Sequence, residues 1–397
     1  MPTLSPYRPG FGQSPVVLAG RDKILTTAQR SLQAVVEAHR MDRPLALVGV
    51  RGVGKTALLK ELADRAAAAV GAPRLRVEVI PGQPFLPTLV ERAQVLARLV
   101  NDEPPVGRLS VSEAVLRAGF AGTGAEVHLS RQAPEVPDVY AALNQLSEAL
   151  SRRGSAAVLT IDEAHAARRP ELAVLGAALQ EGTEQDWPLV VAFAALPSLR
   201  PRPSDSERED QRGFTYFERA RWMDVELLDD ASTLLALSGP AASAGRPYEP
   251  AAAQELAAHT GGYPFAVQVY GEHAWWSSEG EAVISLAAVE RSLPSANRDL
   301  DQGLYASRWA EASSRERDYL RALAALLRAG EPANGGAVAR RLNETTKALS
   351  VYRDRLLNKG TLFVDDNGLL RFTVPGMAAY VLRQAGAEQP PIGGSYS

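Results

Sequence analysis

Residues 49–56, Gly-Val-Arg-Gly-Val-Gly-Lys-Thr, decide the fold of this 397-residue sequence. They match in full the pattern G-x-x-x-x-G-K-[ST], whose glycines let the backbone turn sharply and point its N–H groups at phosphate oxygens. An apolar run at 45–49 is typical of a buried parallel strand, and a helical pattern begins at about Gly54. Because strand, loop and helix follow in this order, the sequence predicts a phosphate-binding loop at a helix N-terminus.

This loop predicts how a nucleotide would be held. Lys55 supplies a point charge for the β- and γ-phosphates, and the hydroxyl of Thr56 is a predicted ligand of Mg²⁺. Arg51 either reaches phosphate or faces solvent, and solvent is favoured because this position of the pattern accepts many residue types. The predicted nucleotide-binding residues of the loop are Gly49, Gly52, Val53, Gly54, Lys55, Thr56 and Ala57.

Two adjacent carboxylates follow another apolar run, Val158 to Ile161. Asp162 is predicted to hold the shell of the magnesium ion, and Glu163 to orient and activate the attacking water. The alternative is a solvated pair that starts a helix. The pair comes about one hundred residues after a complete phosphate-binding loop, which favours the functional interpretation. His165 follows this pair. It is either a sensor of nucleotide state or, as we expect, a residue on the surface of a helix.

Five apolar runs predict the strands of one sheet. Helical patterns separate them, and strands that alternate with helices imply an α/β fold whose parallel sheet is covered on both faces. The predicted strands are 45–49, 74–80, 156–161, 188–195 and 222–227. A polar break at 200–213 precedes the last strand, and residues 101–137, rich in Pro, Gly and charge, are a predicted insertion.

The second half of the chain follows a different pattern. Residues 229–295 are helical with no convincing strand, which predicts a small α-helical lid subdomain. Helical patterns at 314–327, 336–342 and 346–357 then lead into a hairpin whose turn signal is Asn367-Gly368. Three helices followed by a hairpin are the layout of a winged-helix domain.

Together these patterns predict five segments. Both ends of the chain are rich in Pro and Gly, which favours an extended arm before the first helix and a disordered tail after the last one. The predicted segments are an arm at 1–16, a P-loop ATPase core at 17–228, a helical lid at 229–300, a winged helix at 301–386 and a tail at 387–397.

Composition narrows the chemistry. The sequence has no cysteine, which excludes disulfides and cysteine-ligated metal centres. It shows neither a signal peptide nor a run of about 18 apolar residues, so we expect a cytoplasmic protein with no membrane contact. The net charge is −3, yet residues 305–397 hold 13 Lys and Arg against nine Asp and Glu. This mildly basic end permits contact with nucleic acid without requiring it.

With these motifs the chain resembles an AAA+ ATPase of the branch shared by origin-recognition proteins and STAND signalling ATPases. The segment 18–22 contains Gly20 and Arg21, and in the family such a Gly-Arg-acid segment borders the adenine pocket. Gly261-Gly262-Tyr263-Pro264 is similar to the Gly-x-Pro motif through which the lid contacts the nucleotide, with Pro264 as the contact. The resemblance covers roughly residues 17 to 385 and implies ATP or ADP as ligand, with Mg²⁺.

The chain also departs from the family. The fourth strand ends in alanines, where the family often places a polar sensor residue, and the helix after Pro264 lacks the sensor arginine of many AAA+ enzymes. Both departures favour slow hydrolysis. Arg219 and Arg221 are candidate arginine fingers that could complete the site of a neighbouring copy, and surface pairing with Glu218 or a nearby acid is an equal alternative.

The sequence therefore predicts an ATP-binding switch that hydrolyses ATP slowly and regulates a protein partner, its own oligomer or a DNA-associated assembly. One alternative is a DNA-binding ATPase of replication, transposition or phage defence, because the third helix of the winged helix carries Lys347, Arg353, Arg355 and Lys359. Another is a scaffold that holds nucleotide without hydrolysing it.

Overall fold

The computed structural model describes residues 4–10, 12–102, 138–200, 215–365 and 367–387. Most of the predicted insertion, of the polar break and of the tail lies outside these residues. The chain divides into two compact units. The sheet unit comprises Arg21–Val48 and Leu58–Asp224, and the helical unit comprises Met1–Gly20, Gly49–Ala57 and Val225–Ser397. The five predicted segments remain a proposal about how the chain is organised.

The sheet unit is built on five parallel strands in the order β2-β3-β4-β1-β5. All residues of β1, β3 and β4 are buried, as expected for central strands covered on both faces. Because every pair is parallel, the carboxyl ends of the strands lie at one edge of the sheet. The strands are β1 (Leu45–Val48), β2 (Arg74–Glu78), β3 (Ala157–Asp162), β4 (Leu189–Ala195) and β5 (Arg221–Asp224).

Helices connect these strands, and the predicted α/β fold is confirmed. Leucine and alanine faces of α3, α4 and α5 form one apolar core with the strands, in which Leu89, Leu143 and Leu175 are fully buried. The helices are α1 (Asp22–Glu37), α2 (Lys55–Val70), α3 (Leu86–Asp102), α4 (Val139–Arg152), α5 (Arg169–Glu184) and α6 (Thr215–Glu218).

The fifth strand is shorter than the sequence predicts. It ends at Asp224 rather than Leu227, because its ladder partner β1 has only four residues and the register pairs Val48 with Asp224. The first helix ends at Glu37, since His39 takes a positive φ of 48° that cannot continue a helix.

The helical unit begins its regular structure after β5, and side-chain caps define several of its helices. Asp229 and Ser285 each accept a hydrogen bond from the backbone N–H three residues further on. A π-helical turn at Leu300–Tyr305 links the last two of these helices. They are α7 (Asp230–Ser243), α8 (Pro250–Thr260), α9 (Pro264–Ser277), α10 (Leu286–Asp299) and α11 (Ala306–Glu311).

The remaining residues form three helices, a two-stranded antiparallel hairpin and a last helix. Ser313 and Glu316 form a capping box at the first helix, and Asn334 and Thr345 cap the next two. This arrangement fits the predicted winged-helix domain. The elements are α12 (Ser314–Arg328), α13 (Gly335–Arg341), α14 (Thr346–Asn358), β6 (Leu362–Val364), β7 (Leu370–Phe372) and α15 (Met377–Ala387). None of the helices in the described part of the chain has both the length and the apolar character needed to cross a membrane.

Candidate nucleotide-binding site

The phosphate-binding loop leaves β1 at the carboxyl edge of the sheet and ends at the first turn of α2. Gly52 and Gly54 have φ values of 79° and 91°, a region that L side chains rarely adopt. The helix therefore starts at Lys55 rather than at Gly54. Two glycines in this conformation turn successive backbone N–H groups to one side, which is the geometry that binds an anion.

Lys55 is held across the loop rather than in solvent. Its side chain is buried, and Nζ donates hydrogen bonds to the carbonyl oxygens of Gly49, at 2.9 Å, and Val50, at 2.8 Å. These two bonds hold the ammonium group against the first two residues of the loop. The hydroxyl of Thr56, the next residue, makes no hydrogen bond within the described residues.

A tyrosine of the lid reaches this loop. The hydroxyl of Tyr263 donates a hydrogen bond to the carbonyl oxygen of Arg51 at 3.1 Å, and a side chain at Gly52 would overlap the same hydroxyl. Burial raises the pKa of Tyr263 to about 12, and the positive charge of Arg308 acts in the opposite direction. Tyr263 is thus neutral at physiological pH and available as a donor.

Arg51 does not simply face solvent. Arg51 as a whole is half-buried, and its Nε atom is buried without a hydrogen-bond partner among the described residues. The sequence favoured the solvent interpretation because the loop pattern says nothing about what packs over this position.

The predicted carboxylates lie at the carboxyl end of β3, in the sheet unit. Asp162 is buried, and its Oδ1 accepts the backbone N–H of Glu163 at 2.9 Å while Oδ2 lies 4.0 Å from Arg76. Glu163 adopts a left-handed conformation with φ 54°, unusual for a residue other than glycine. Such strain is concentrated at functional sites, and here it sets the direction in which the Glu163 side chain leaves the strand.

His165 packs beside this pair. Its Nε2 lies 3.5 Å from Oε2 of Glu163, and its side chain is only 8% exposed. The expectation of a helix-surface histidine was wrong, because the residues after Glu163 form a tight 3₁₀ turn, Ala164–Ala166, that folds the imidazole back.

The remaining predicted positions are distributed as follows. Gly20 packs against Ser232 and Leu228 of the helical unit, and Arg21 is a buried residue of the sheet unit at the start of α1. Pro264 is the first residue of α9, where its missing N–H costs nothing. The fourth strand ends in fully buried alanines, Ala194 and Ala195, as its sequence suggested.

The two candidate finger arginines have different surroundings. Arg221 lies within β5 and pairs with Asp42 at 3.4 Å, whereas Arg219 is exposed and its side chain makes none of the described hydrogen bonds. A paired residue in a strand is poorly placed to reach a second molecule. Arg219 therefore stays the candidate, as a proposal.

Sequence reasoning missed one residue that contacts the loop, Tyr263. The motif that contains Tyr263 was recognised, but the tyrosine itself was not singled out.

Comparison with known proteins shows what this part of the chain resembles. Residues 17–192 match a family model described as AAA ATPase domain. This part of the chain is therefore similar to an AAA ATPase domain. Residues 302–381 match a second model, described as a domain of unknown function, DUF8462. No curated protein matches the chain.

Two solved structures are similar to this chain over most of its length. The ORC2 protein of Aeropyrum pernix, in a structure of its ADPNP-ADP complexes, has 16% identity and a TM-score of 0.59, covering 98% of this chain and 100% of that chain. A Walker-type ATPase of Pyrococcus abyssi has 16% identity and a TM-score of 0.58, covering 92% of this chain and 96% of that chain. The chain thus shares its fold with these two proteins.

Proposed function

We propose that this protein is an AAA+ ATPase that binds ATP with Mg²⁺, hydrolyses it slowly and works as a conformational switch. The observation that carries the proposal is the hydrogen bond from Tyr263 of the lid to the Arg51 carbonyl of the phosphate-binding loop. Because the lid residue bonds to the loop itself, a change in the loop on phosphate binding would change what holds the lid.

The loop residues fit a nucleotide. The phosphates would be bound by the ammonium of Lys55 and by the backbone of Gly49, Gly52, Val53, Gly54 and Ala57. The glycines leave space for them because they have no side chain. Gly20, Arg21 and Pro264 would border the adenine, by analogy with the family.

Two side chains supply oxygen ligands of the kind that a magnesium ion prefers. The Thr56 hydroxyl has no partner in the described structure, and the Asp162 carboxylate is buried with one oxygen fixed by the Glu163 N–H. Thr56 and Asp162 would hold Mg²⁺, which when bound neutralises phosphate charge. Phosphate oxygens and waters would complete its shell, as is usual for this ion.

Glu163 is the proposed base for hydrolysis. Its carboxylate would orient a water molecule and accept its proton, while Lys55 stabilises charge on the phosphates and Arg219 does so from a neighbouring copy. Turnover would be slow because β4 ends in Ala194 and Ala195, and the lid helix α9 contains no arginine.

Single-turnover hydrolysis of radiolabelled ATP tests this proposal. Wild type is compared with Glu163→Gln, which removes the base and keeps the size of the side chain, and we expect at least a hundredfold lower rate in the variant. Equal rates would exclude Glu163 as the base. Tightly retained ADP with no turnover in wild type would favour the scaffold alternative, in which a protein partner reads a permanently bound nucleotide.

A second candidate function is DNA binding through the winged helix. Exposed basic residues support it, since Arg340 and Arg341 of α13 and Lys347 and Arg355 of α14 are all solvent-exposed. Lys359 is not among them, because it bonds to Glu316. Filter binding of duplex DNA over a range of salt concentrations tests it, and no retention even at low salt would exclude it.

A further inference from the structure

A cavity lies in the sheet unit between the sheet and the helices α1 and α2. Its volume is about 380 Å³, and it is lined by both helices and by β1, β3 and β4. The strand residues that line it include Leu45 and Val158, which lie near the amino ends of their strands. The phosphate-binding loop leaves β1 at the carboxyl end, and none of its residues lines the cavity. The cavity is therefore separate from the candidate nucleotide site.

Alanine residues on the two helices leave this space open. The last turn of α2 contains the alanine run from Ala66 to Ala69, and Ala28 of α1 lines the same cavity. Alanine is the best helix former, but its side chain ends at Cβ and fills little of the space between a helix and a sheet. Protein interiors are normally packed without voids larger than a water molecule, so this space is large enough to be a ligand site.

The inner wall of the cavity is apolar. Leu32, Val158 and Val190 belong to one buried hydrophobic cluster, and Leu45 is buried as well. An apolar cavity of about 150 Å³ stays dry and is large enough to bind benzene. By the same measure, the cavity of about 380 Å³ has room for an aliphatic chain of roughly ten carbons.

The polar side chains of the cavity lie where it meets solvent. The structure describes every lining residue, and among them only Gln29 of α1 and Arg65 of α2 are polar, both exposed. Arg65 donates from Nε to Oε1 of Glu61 at 2.8 Å, and its two Nη groups make none of the described hydrogen bonds. An exposed pair of this kind holds its partners weakly. The Nη groups can therefore bind a second carboxylate end-on through two parallel hydrogen bonds.

We propose that this cavity binds a medium-chain carboxylate, with its aliphatic chain between the sheet, α1 and α2 and its carboxylate on the Nη groups of Arg65. The apolar wall matches the chain, and the one cation of the lining matches the single negative charge. The site is independent of the proposed function, because no part of it needs ATP. Leu62 and Ala66 of the lining lie two and three turns after Lys55, so the ligand would contact the helix that carries the phosphate-binding lysine.

Calorimetry with saturated carboxylates of increasing length tests this site in the full-length chain. Octanoate, decanoate and dodecanoate are titrated below the concentrations at which they form micelles. We expect one site per chain, with decanoate bound about fifteenfold more tightly than octanoate, since each buried methylene contributes roughly fourfold. Dodecanoate should bind less than about twofold more tightly than decanoate, because roughly ten carbons fill the space.

Two kinds of variant separate the chain from the carboxylate. Ala28→Leu and Ala66→Leu place a larger side chain in the cavity and should each weaken decanoate binding at least about tenfold. The matched control is Ala67→Leu, on the same helix but outside the lining, which should bind like wild type. Arg65→Gln should weaken decanoate about tenfold and leave decanol, which has the same chain without the charge, unchanged.

Other outcomes would overturn the proposal. Absence of saturable binding by all three carboxylates would exclude the site. Equal binding in wild type, Ala28→Leu and Ala66→Leu, or affinity that continues to rise with chain length, would indicate adsorption to the protein surface. Equal losses for decanoate and decanol in Arg65→Gln would show that Arg65 supports the fold and does not hold the carboxylate.

Thermal melting without ligand tests whether the cavity is open in solution. A larger apolar side chain in an empty apolar space is stabilising, so Ala28→Leu and Ala66→Leu should melt no lower than the Ala67→Leu control. Lower melting temperatures for both variants would show that leucine overpacks a region that is already filled, and the proposed site would then not exist.

Discussion

His165 Nε2 lies 3.5 Å from Glu163 Oε2, so the imidazole packs against the carboxylate that we propose as the base. Glu163 holds a left-handed backbone conformation with φ 54° at the end of β3. The strained backbone and the buried histidine act on the same side chain. Together they restrict its rotamers, and a base in one position can act on a water in one position.

Replacing His165 by alanine should therefore slow hydrolysis without weakening nucleotide binding. We expect a ten- to hundredfold lower single-turnover rate, about the size found when a reacting group is misplaced. The control is His259→Ala, since His259 is a partly exposed histidine of α8. A fall in ATP affinity as large as the fall in rate would contradict a positioning role, because it would indicate damage to the whole site.

Alanine at Gly52 should disrupt the contact between the lid and the loop. The new methyl group would overlap the Tyr263 hydroxyl, in addition to the backbone strain at φ 79°. Gly54→Ala is the matched control, because φ there is 91° but no atom lies within 4 Å of an added Cβ. We expect ATP affinity to fall further in Gly52→Ala than in Gly54→Ala.

A double-mutant cycle isolates the role of Tyr263 in this effect. Tyr263→Ala removes the side chain that Gly52→Ala would meet, so the second substitution should cost less in that background. Additive losses of ATP affinity would show that strain alone explains the defect and that the tyrosine contact is irrelevant to it.

The sequence predicted much of the site because its signals are local. The loop at 49–56 and the pair Asp162-Glu163 need only short motifs and their neighbouring strands, and each strand was placed within a few residues. The contacts of Tyr263 with Arg51 and of Lys359 with Glu316 could not be predicted. They join residues 212 and 43 positions apart, and only the packing of the helices brings such side chains together.

For the same reason, the sequence suggested the wrong partner for Lys359. On a helix of the winged-helix pattern it resembled a phosphate-binding lysine, but a single sequence does not show that a buried glutamate lies beside it. The bounds of α3 and α5 were also not predicted, although the apolar residues of α3 recur at helical spacing.

The N-terminal arm is part of the helical core. Tyr7 is buried, its hydroxyl donates to the Leu237 carbonyl and lies 3.1 Å from the Tyr248 hydroxyl, and its ring packs over Gly271. Tyr7→Ala should lower the free energy of unfolding by about 3 kcal/mol, since a buried aromatic ring leaves a cavity. Tyr7→Phe should cost about 1 kcal/mol, for the hydroxyl alone.

Urea unfolding of the full chain measures both losses. Leu4→Ala is the control within the same arm, because Leu4 is 89% exposed and should be neutral. If Tyr7→Ala unfolds like wild type, the arm is not needed for the stability of the lid.

Lys359 and Glu316 give a prediction that depends on pH. Nζ of Lys359 lies 2.8 Å from Oε2 of Glu316, whose side chain is only 2% exposed. Burial raises the pKa of Glu316, but hydrogen bonds from Lys359 and from Ser313 lower it more, so the net pKa is below its ordinary value. Lys359→Met leaves this carboxylate buried without its cation. Because Lys359 itself is partly exposed, we expect a loss of about 2 kcal/mol at pH 7.

The sign of the pH dependence follows from the lowered pKa. In wild type, the stabilisation by Glu316 is present above its unfolded-state pKa of about 4.3 and is lost as the pH falls through the lower folded-state value. In Lys359→Met the buried carboxyl protonates at a higher pH, which relieves its cost. The difference in the free energy of unfolding between the two proteins, measured with urea, should therefore shrink from pH 7 to below pH 4.

Arg353→Met is the control. It breaks an exposed pair with Asp354 and should change stability little at either pH. A difference for Lys359→Met that stays constant with pH would show that lost packing of the lysine chain, and not the charge of Glu316, causes it.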